Sequence, residues 1–320
     1  MKKRKVAYLQ ITRECNNKCV FCSNPQFEKE YTLDEAKKKV LDFKKENITE
    51  IILTGGEPTI CSFLMEIISF IKNQEMEFRI ISNGVKLEDI NFGKKLCEAG
   101  LKTVHISIHS HDQKTADSLS QKPGHLKSSI QGVRNCLDCG LNVSINTTIN
   151  SKNCSEMDKF ISFMIKEFPR INHYVFNGLD PGKADGNLKS RAGENQWIVP
   201  KLIDIELPLK KTVDILKTND KTFRIERIPL CYMAGFEEFS TETRKIAKDE
   251  TYICSFIEKE KENEVRKVTP FMLRTHVDCC SHCKLNKICT GIQQEYLDIH
   301  GKDELYPVFI NPQKIIDKII

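Results

Sequence analysis

Three cysteines near the start of the chain have the spacing of a metal-binding loop. Cys15, Cys19 and Cys22 place three thiols within eight residues, so one short loop can fold them onto one side of a metal centre. Thiolates favour zinc or an iron-sulfur cluster. A structural zinc site needs four closed ligands, and no fourth cysteine lies near these three. An iron-sulfur cluster with three cysteine ligands leaves one iron free to bind a substrate or a cofactor.

A second cysteine group lies near the end of the chain. Cys280, Cys283 and Cys289 again supply three thiols in a short segment, so a fourth ligand must come from elsewhere. Cys231, which closes a predicted strand, and Cys254 are the candidates, and we favour Cys231. The same residues also fit an all-thiolate zinc site, because spacing alone does not separate zinc from iron-sulfur.

The elements around the first group predict a parallel sheet. Short apolar runs alternate with helical patterns, and such alternation is typical of strand-helix units with right-handed crossovers. The sixth helix is expected around Gln196–Ile205. Six units are fewer than the eight of a full barrel, so a partial (β/α)6 barrel or an open sheet is expected. The predicted strands are Val6–Thr12, Glu50–Thr54, Phe78–Ser82, Thr103–His109, Asn142–Asn150 and His173–Phe176.

A glycine-rich turn follows the second predicted strand, at the edge of the sheet where chemistry occurs in such folds. It reads Gly55-Gly56-Glu57-Pro58. Glycines let the backbone approach a ligand closely, and Pro58 fixes the turn. Glu57 is expected to balance an ammonium group.

Polar residues end the next two predicted strands. Ser82 and Asn83 close the third strand, and Ser107 lies at the end of the fourth. At these positions their side chains are expected to hydrogen-bond a ribose.

These features together resemble the radical S-adenosylmethionine (SAM) superfamily over residues 6 to about 180. The three-cysteine motif, with the aromatic Phe21 before its last cysteine, and the Gly55–Pro58 turn carry the resemblance. The resemblance implies that Cys15, Cys19 and Cys22 bind a [4Fe-4S] cluster whose fourth iron is chelated by the amino and carboxylate groups of SAM. It also implies that the turn contacts the methionine amino group. Reductive cleavage of SAM would then produce a 5′-deoxyadenosyl radical that abstracts a substrate hydrogen.

The second cysteine group resembles the SPASM and twitch subfamily of the same enzymes. The full SPASM pattern continues with a further cysteine, but the corresponding position holds Gln293. The resemblance therefore implies the shorter twitch arrangement, with one auxiliary [4Fe-4S] cluster.

The composition and the later part of the chain complete the sequence-based expectations. The 320 residues include 14 cysteines and carry a formal net charge of +5, which does not favour nucleic-acid or membrane binding. The chain shows no export signal and no apolar run long enough for a membrane span, so a cytoplasmic protein is expected. Prolines, including Pro208 and Pro229, interrupt the pattern after residue 205. We therefore predict a barrel domain over residues 1–205 and a smaller auxiliary-cluster domain over residues 206–320.

The resemblance implies an enzyme that modifies a peptide or protein with electrons from a flavodoxin-type or ferredoxin-type reductant. The first cysteine motif begins at residue 15, so no peptide-leader-binding domain is expected before it. A small-molecule or nucleotide substrate therefore stays open. A non-enzymatic iron-sulfur or zinc scaffold is the alternative of a different class.

Overall fold

The computed structural model describes residues 5–23, 31–185, 188–250, 252–255, 257, 265–271 and 274–320, and for residues 183–185, 188–189 and 265–266 it describes the backbone alone. The strands are β1 Val6–Thr12, β2 Glu50–Gly55, β3 Glu77–Ser82, β4 Thr103–Ser107, β5 Asn142–Ile149, β6 His173–Gly178, β7 Lys183–Asp185, β8 Leu188–Lys189, β9 Thr222–Glu226, β10 Tyr252–Ser255 and β11 Val265–Val268. The helices are α1 Leu33–Lys45, α2 Leu64–Asn73, α3 Ile90–Glu98, α4 Gln113–Ser120, α5 His125–Asp138, α6 Met157–Glu167, α7 Arg191–Glu194, α8 Leu202–Thr218, α9 Thr241–Ala247, α10 Gln294–His300 and α11 Gln313–Ile316.

One sheet of nine strands organises the chain, in the order β11-β10-β1-β2-β3-β4-β5-β6-β9. Within this sheet, neighbouring strands from β10 through β9 pair in parallel, and β11 pairs antiparallel with β10. Strands β7 and β8 form a separate antiparallel pair. The expected α/β class with parallel strand-helix units is confirmed, and the fold is that of a partial barrel. Because the strands are parallel, the loops that follow β1 to β6 and β9 meet at one edge of the sheet.

The two faces of the sheet differ in polarity, as β4 illustrates. Val104 and Ile106 are fully buried in the hydrophobic core, whereas His105 and Ser107 on the opposite face are partly exposed. Successive strand residues point to opposite faces, so the core lies between the sheet and its helices. The other face is left with polar side chains and access to solvent. None of the described helices is both long enough and apolar enough to cross a bilayer.

The prediction that strand-helix alternation stops near residue 206 is wrong. Helix α8 spans the predicted boundary between residues 205 and 206 and includes Pro208. Strand β9 then joins the same sheet beside β6, and β10 joins it beside β1. A proline removes one hydrogen bond inside a helix. Here Ile205 and Leu209 on either side of Pro208 are both buried, so core packing holds the helix together across it.

The sixth helix is also displaced from its expected position. The structure has a single 3-10 turn at Gln196–Ile198, and α8 begins only at Leu202. The apolar pattern that suggested one helix therefore spans two separate elements.

Candidate functional site

The loop that carries the first three cysteines lies directly after β1, and its backbone is held by α4. Lys18 N donates to Ser120 O and Val20 N donates to Leu119 O, both at 2.9 Å. These two bonds align the loop with the end of α4 as a short extended segment. As residues, Cys15, Cys19 and Cys22 are each partly exposed.

A second segment holds the same loop from the region of α7, and the sequence carried no signal for it. Arg191 N donates to Cys22 O at 2.9 Å, and Arg191 Nη1 donates to Cys19 O at 3.4 Å. Asn195 Nδ2 donates to Val20 O at 3.1 Å. About 170 residues separate the partners in sequence, and no local motif marks such long-range contacts to backbone carbonyls.

The two glycines of the Gly55–Pro58 turn allow close approach of the cysteine loop. Gly56 N donates to Thr12 O at 2.8 Å, and Glu57 N donates to Glu14 O at 2.7 Å. A Cβ on Gly56 would lie 2.0 Å from Glu14 O, and one on Gly55, whose φ is +155°, would lie 2.3 Å from Thr12 O. Any side chain here would push the loops apart. The backbone that the glycines admit is therefore that of the loop leading to Cys15.

The buried Glu57 side chain accepts hydrogen bonds from residues of neighbouring turns. It is 1% exposed. Its Oε1 accepts hydrogen bonds from Thr59 N at 3.0 Å and Thr59 Oγ1 at 2.6 Å, and from Ser82 Oγ at 2.9 Å. Its Oε2 accepts from Asn83 N at 2.6 Å. Burial raises the pKa of the carboxyl, and the bonds from Asn83 and Thr59 lower it. In the structure the Glu57 oxygens join the ends of β2 and β3, and the expectation that Glu57 balances an ammonium stays a prediction.

The polar residues expected at a ribose occupy three different situations. Ser82 is 1% exposed. Its hydroxyl donates to Glu57 Oε1 and accepts from Gly84 N. Asn83 faces the cysteine loop, where its Nδ2 donates to Asn16 Oδ1 at 2.6 Å and lies 3.9 Å from Cys15 Sγ. Ser107 lies partly exposed on the polar face of β4. The ribose assignment stays a prediction for all three residues.

Phe21 packs against a histidine at the same edge of the sheet. Its ring meets that of His109 edge to face, with centroids 4.8 Å apart and planes at 79°. His109 Nδ1 accepts from Thr148 N at 3.1 Å, so the ring proton is on Nε2. Burial lowers the pKa of His109 to about 3, so this histidine is neutral. This contact packs the end of the cysteine loop against the segment that follows β4.

The donor set of the loop fits a cluster better than a single ion. Among the residues described, no three His, Cys, Asp or Glu side chains lie together as ligands of one metal ion. A zinc ion would draw its thiolates together, because each Zn–S bond is about 2.3 Å long. A [4Fe-4S] cluster needs wider spacing, because each thiolate binds a different iron. Burial raises the pKa of Cys15 to about 11 and raises that of Cys19 further, so these two thiols are protonated in the free loop.

Four thiols of the second group line one cavity. Cys231, Cys280, Cys283 and Cys289 surround about 390 Å³ of empty space, including solvent at its mouth. Cys231 comes from the 3-10 turn after β9, and the other three come from the segment before α10. Cys254 is elsewhere: it lies in β10, paired beside Tyr8 of β1. The structure thus brings Cys231, and not Cys254, to the other three.

Backbone N–H groups point at sulfur atoms in this cavity. Val308 N donates to Cys283 Sγ at 3.3 Å, and Gly291 N donates to Cys289 Sγ at 3.4 Å. Such bonds support thiolate ligands of iron-sulfur clusters and tune their potential. Burial raises the pKa of Cys231 to about 12 and that of Cys280 to about 11. Four thiols from two segments, with donors aimed at two of them, fit a cluster in which every iron has a protein ligand.

Comparison with known proteins identifies a family match and several relatives of this sequence. Residues 9–164 match the Radical SAM superfamily. A GTP 3',8-cyclase of Campylobacter jejuni subsp. doylei is 31% identical over 242 residues, covering 69% of this chain and 72% of that protein. An Fe-coproporphyrin III synthase of Methanosarcina barkeri is 31% identical over 183 residues, covering 55% of this chain. The chain spans only 45% of the length of that synthase.

Solved structures share the fold over nearly the whole chain. Streptococcus suis SuiB bound to S-adenosylmethionine has a TM-score of 0.65 at 16% identity, covering 95% of this chain and 76% of that one. The structure described as native anSMEcpe with bound AdoMet has a TM-score of 0.64 at 15% identity, covering 98% of this chain and 96% of that one. At such low identity the likeness concerns the fold alone.

Proposed function

The chain belongs to the radical SAM superfamily, and we propose that it cleaves SAM reductively at a [4Fe-4S] cluster in order to modify a peptide or protein. Cys15, Cys19 and Cys22 would hold the cluster. The proposal rests on the position of the cysteine loop. The loop carries three partly exposed cysteines and packs against Gly55 and Gly56 at the carboxyl edge of a parallel sheet.

When bound, the cluster and SAM supply a 5′-deoxyadenosyl radical that abstracts hydrogen from the substrate. The protein residues provide position. Gly56 and Glu57 fix the start of the loop through backbone bonds to Thr12 and Glu14, and Glu57 ties this region to β3. Asn83, within reach of both Asn16 and Cys15, is the side chain best placed to connect the cluster loop with a bound nucleoside. A rigid support of this kind is what a site needs to hold reacting groups in register.

The second group of cysteines would hold one auxiliary [4Fe-4S] cluster in a twitch-like C-terminal region. Cys231, Cys280, Cys283 and Cys289 supply four thiols, so no iron is left open there. A closed cluster suits electron transfer to or from the substrate rather than substrate binding. A flavodoxin-type or ferredoxin-type protein would deliver the electron that begins each turnover.

Two kinds of substrate have support. Structures of the same fold contain peptides, namely SuiB with its precursor peptide SuiA and anSMEcpe with the Kp18Cys peptide. These support a peptide or protein as the substrate class. The second candidate is a nucleotide, because a GTP 3',8-cyclase matches this chain over more than two thirds of both sequences.

Anaerobic reconstitution with iron and sulfide, followed by SAM and dithionite, tests the proposal. The wild-type protein is expected to form 5′-deoxyadenosine, measured by chromatography with mass detection. The triple variant Cys15→Ala, Cys19→Ala, Cys22→Ala is expected to form none, while retaining iron in the C-terminal cavity.

A matched control replaces three partly exposed cysteines outside both groups, Cys61, Cys97 and Cys139, with alanine. This control is expected to keep the activity. Formation of 5′-deoxyadenosine by the first triple variant, or no formation by fully reconstituted wild-type protein, would contradict the proposal. Conversion of added GTP to a cyclised product would favour the nucleotide candidate.

A further inference from the structure

A group of charged side chains lies at the carboxyl edge of the sheet, beside β6 and β9. Asp180 follows β6, Glu226 ends β9 and Arg227 follows it, and Glu242 and Arg274 pack against them from later segments. Ligands of parallel α/β folds bind at this edge. The proposed role of the two cysteine groups does not use these residues.

Arg227 is held in a strained backbone conformation at the centre of this charged group. Its φ is +62°, a left-handed value that is uncommon for any residue other than glycine. Its backbone N donates to Glu242 Oε1 at 2.9 Å, and its Nε lies 3.9 Å from Asp180 Oδ2. Gly178 makes room for this turn, because a Cβ there would lie 2.7 Å from Arg227 O. Strain of this sort persists where the surroundings enforce it, and such positions cluster at ligand sites.

Arg274 presents a buried donor that the rest of the described chain does not use. Its Nη1 is buried and donates to no atom of the described residues. Its guanidinium interacts electrostatically with Glu242, Arg227 and Asp180, and with the thiol of Cys289 in the four-cysteine cavity. Buried guanidinium N–H groups are costly when they lack an acceptor, so an unused one indicates a place for a ligand oxygen.

The balance of charge indicates which ligand fits. Three carboxylates, those of Asp180, Glu226 and Glu242, stand against the two guanidinium groups of Arg227 and Arg274. Arg224 and Glu295 border the group and add one charge of each sign. The site therefore has no excess of positive charge and would repel a triphosphate. A ligand that carries both a carboxylate and an ammonium matches it.

We propose that these residues form a subsite for a zwitterionic group of the substrate, the α-amino and carboxyl groups of an amino acid or a peptide end. Arg274 donates to the carboxylate, and the carboxylates of Asp180 and Glu226 receive the ammonium. The inference rests on the proposed radical SAM function and deepens it, because it favours an amino-acid or peptide substrate over a nucleoside triphosphate.

Ligand-detected NMR on the reconstituted full chain with SAM tests the subsite. The probes are glycylglycine, which has both charges, its C-terminal amide, which lacks the carboxylate, and GTP. Glycylglycine is expected to bind about tenfold more tightly than its amide, the value of one hydrogen bond to a charged group. Arg274→Gln is expected to remove that preference, and Arg274→Lys to restore part of it, because lysine keeps the charge without the fork.

Arg170→Gln, at a guanidinium that is 63% exposed and paired with Asp138 on the surface, is the matched control and is expected to keep the preference. Equal binding of glycylglycine and its amide, no binding of glycylglycine, or loss of GTP binding on Arg274→Gln would overturn the inference. Formation of 5′-deoxyadenosine is measured on the same samples. If that product forms while the binding preference is absent, the subsite fails and the proposed function stands. If the product does not form, the proposed function fails independently of the binding result.

Discussion

The two cysteine groups differ in how the chain assembles them. The first three thiols come from one loop, and the rest of the site consists of backbone contacts that position this loop against the Gly55–Pro58 turn, α4 and the α7 region. The four thiols of the second group come from two segments, one at Cys231 and one at residues 280–289, which meet around a cavity. A local loop of three ligands leaves one coordination position for a cofactor, whereas four converging ligands close the site. The difference in assembly therefore matches the difference between the two proposed roles, catalytic for the first region and supporting for the second.

Removal of the Cys231 thiol is expected to give the largest effect among the tests of this contrast. Cys231→Ser is expected to remove the C-terminal cluster, which lowers the iron content from about eight to about four atoms per chain for two [4Fe-4S] clusters. Cys254→Ser is the matched control, since Cys254 is also buried but lies in β10, and it is expected to leave the iron content unchanged. Iron and labile-sulfide analysis makes the measurement. Four zinc-binding thiols without labile sulfide would show that the second region is a zinc site.

Substitution of the loop-docking glycine tests whether position matters as much as ligands in the first region. Gly56→Ala places a methyl 2.0 Å from Glu14 O, so the loop must move, at a cost of about 3 kcal/mol in the free energy of unfolding. A displacement of this size is expected to reduce 5′-deoxyadenosine formation about 100-fold. The C-terminal iron is expected to remain. Gly93→Ala in α3, where the nearest atom would be 3.9 Å away, is the control, and an equal loss there would refute the docking role.

The buried carboxylate behind the loop is expected to have a smaller effect. Glu57→Gln replaces one of two accepting oxygens with an amide nitrogen, and the donors Thr59, Ser82 and Asn83 cannot all be satisfied. The expected cost is about 2 kcal/mol in the free energy of unfolding, measured from denaturant unfolding curves. Glu66→Gln on the exposed face of α2 should change nothing. Unchanged stability of the Glu57 variant would mean that the hydrogen bonds accepted by its carboxylate are not energetically important.

Loss of the aromatic contact between Phe21 and His109 is expected to have the smallest effect of the four substitutions. Phe21→Leu removes the edge-to-face contact with His109 and is expected to cost about 1 kcal/mol. Phe163→Leu removes a looser ring contact with His111 away from the loop, with centroids 6.0 Å apart and planes at 35°. Both variants should lose stability, the Phe163 variant less, but only Phe21→Leu should reduce 5′-deoxyadenosine formation. Equal activity of the two variants would separate this contact from the site.

Local patterns were sufficient for much of the first region. The spacing of Cys15, Cys19 and Cys22 and the position of the Gly55–Pro58 turn after β2 follow from residues adjacent in sequence. Their meeting at one edge follows from parallel strand order. The contacts of Arg191 and Asn195 with the loop could not be foreseen, because they use backbone carbonyls about 170 residues away.

Errors arose where tertiary packing outweighed local signals. Pro208 indicated an end of the repeated pattern, yet α8 continues through it and β9 extends the sheet. The proline is unusual inside a helix, but the core packing that keeps α8 intact around it is not visible in the local sequence. For Glu57 the local sequence indicated a counter-ion for a ligand, which stays a prediction, and it did not indicate the hydrogen bonds from Thr59, Ser82 and Asn83 to the carboxylate.

The sequence alone determined the class of fold and the presence of two thiol groups, because alternating apolar periods and short cysteine spacings are local properties of the chain. Tertiary structure decided that Cys231 rather than Cys254 meets the C-terminal thiols. It also decided that Arg274 lies within electrostatic range of the carboxylates of Asp180 and Glu242. The physical reason is that these meetings depend on how strands from distant parts of the chain are ordered in the sheet, and no short stretch of residues encodes that order.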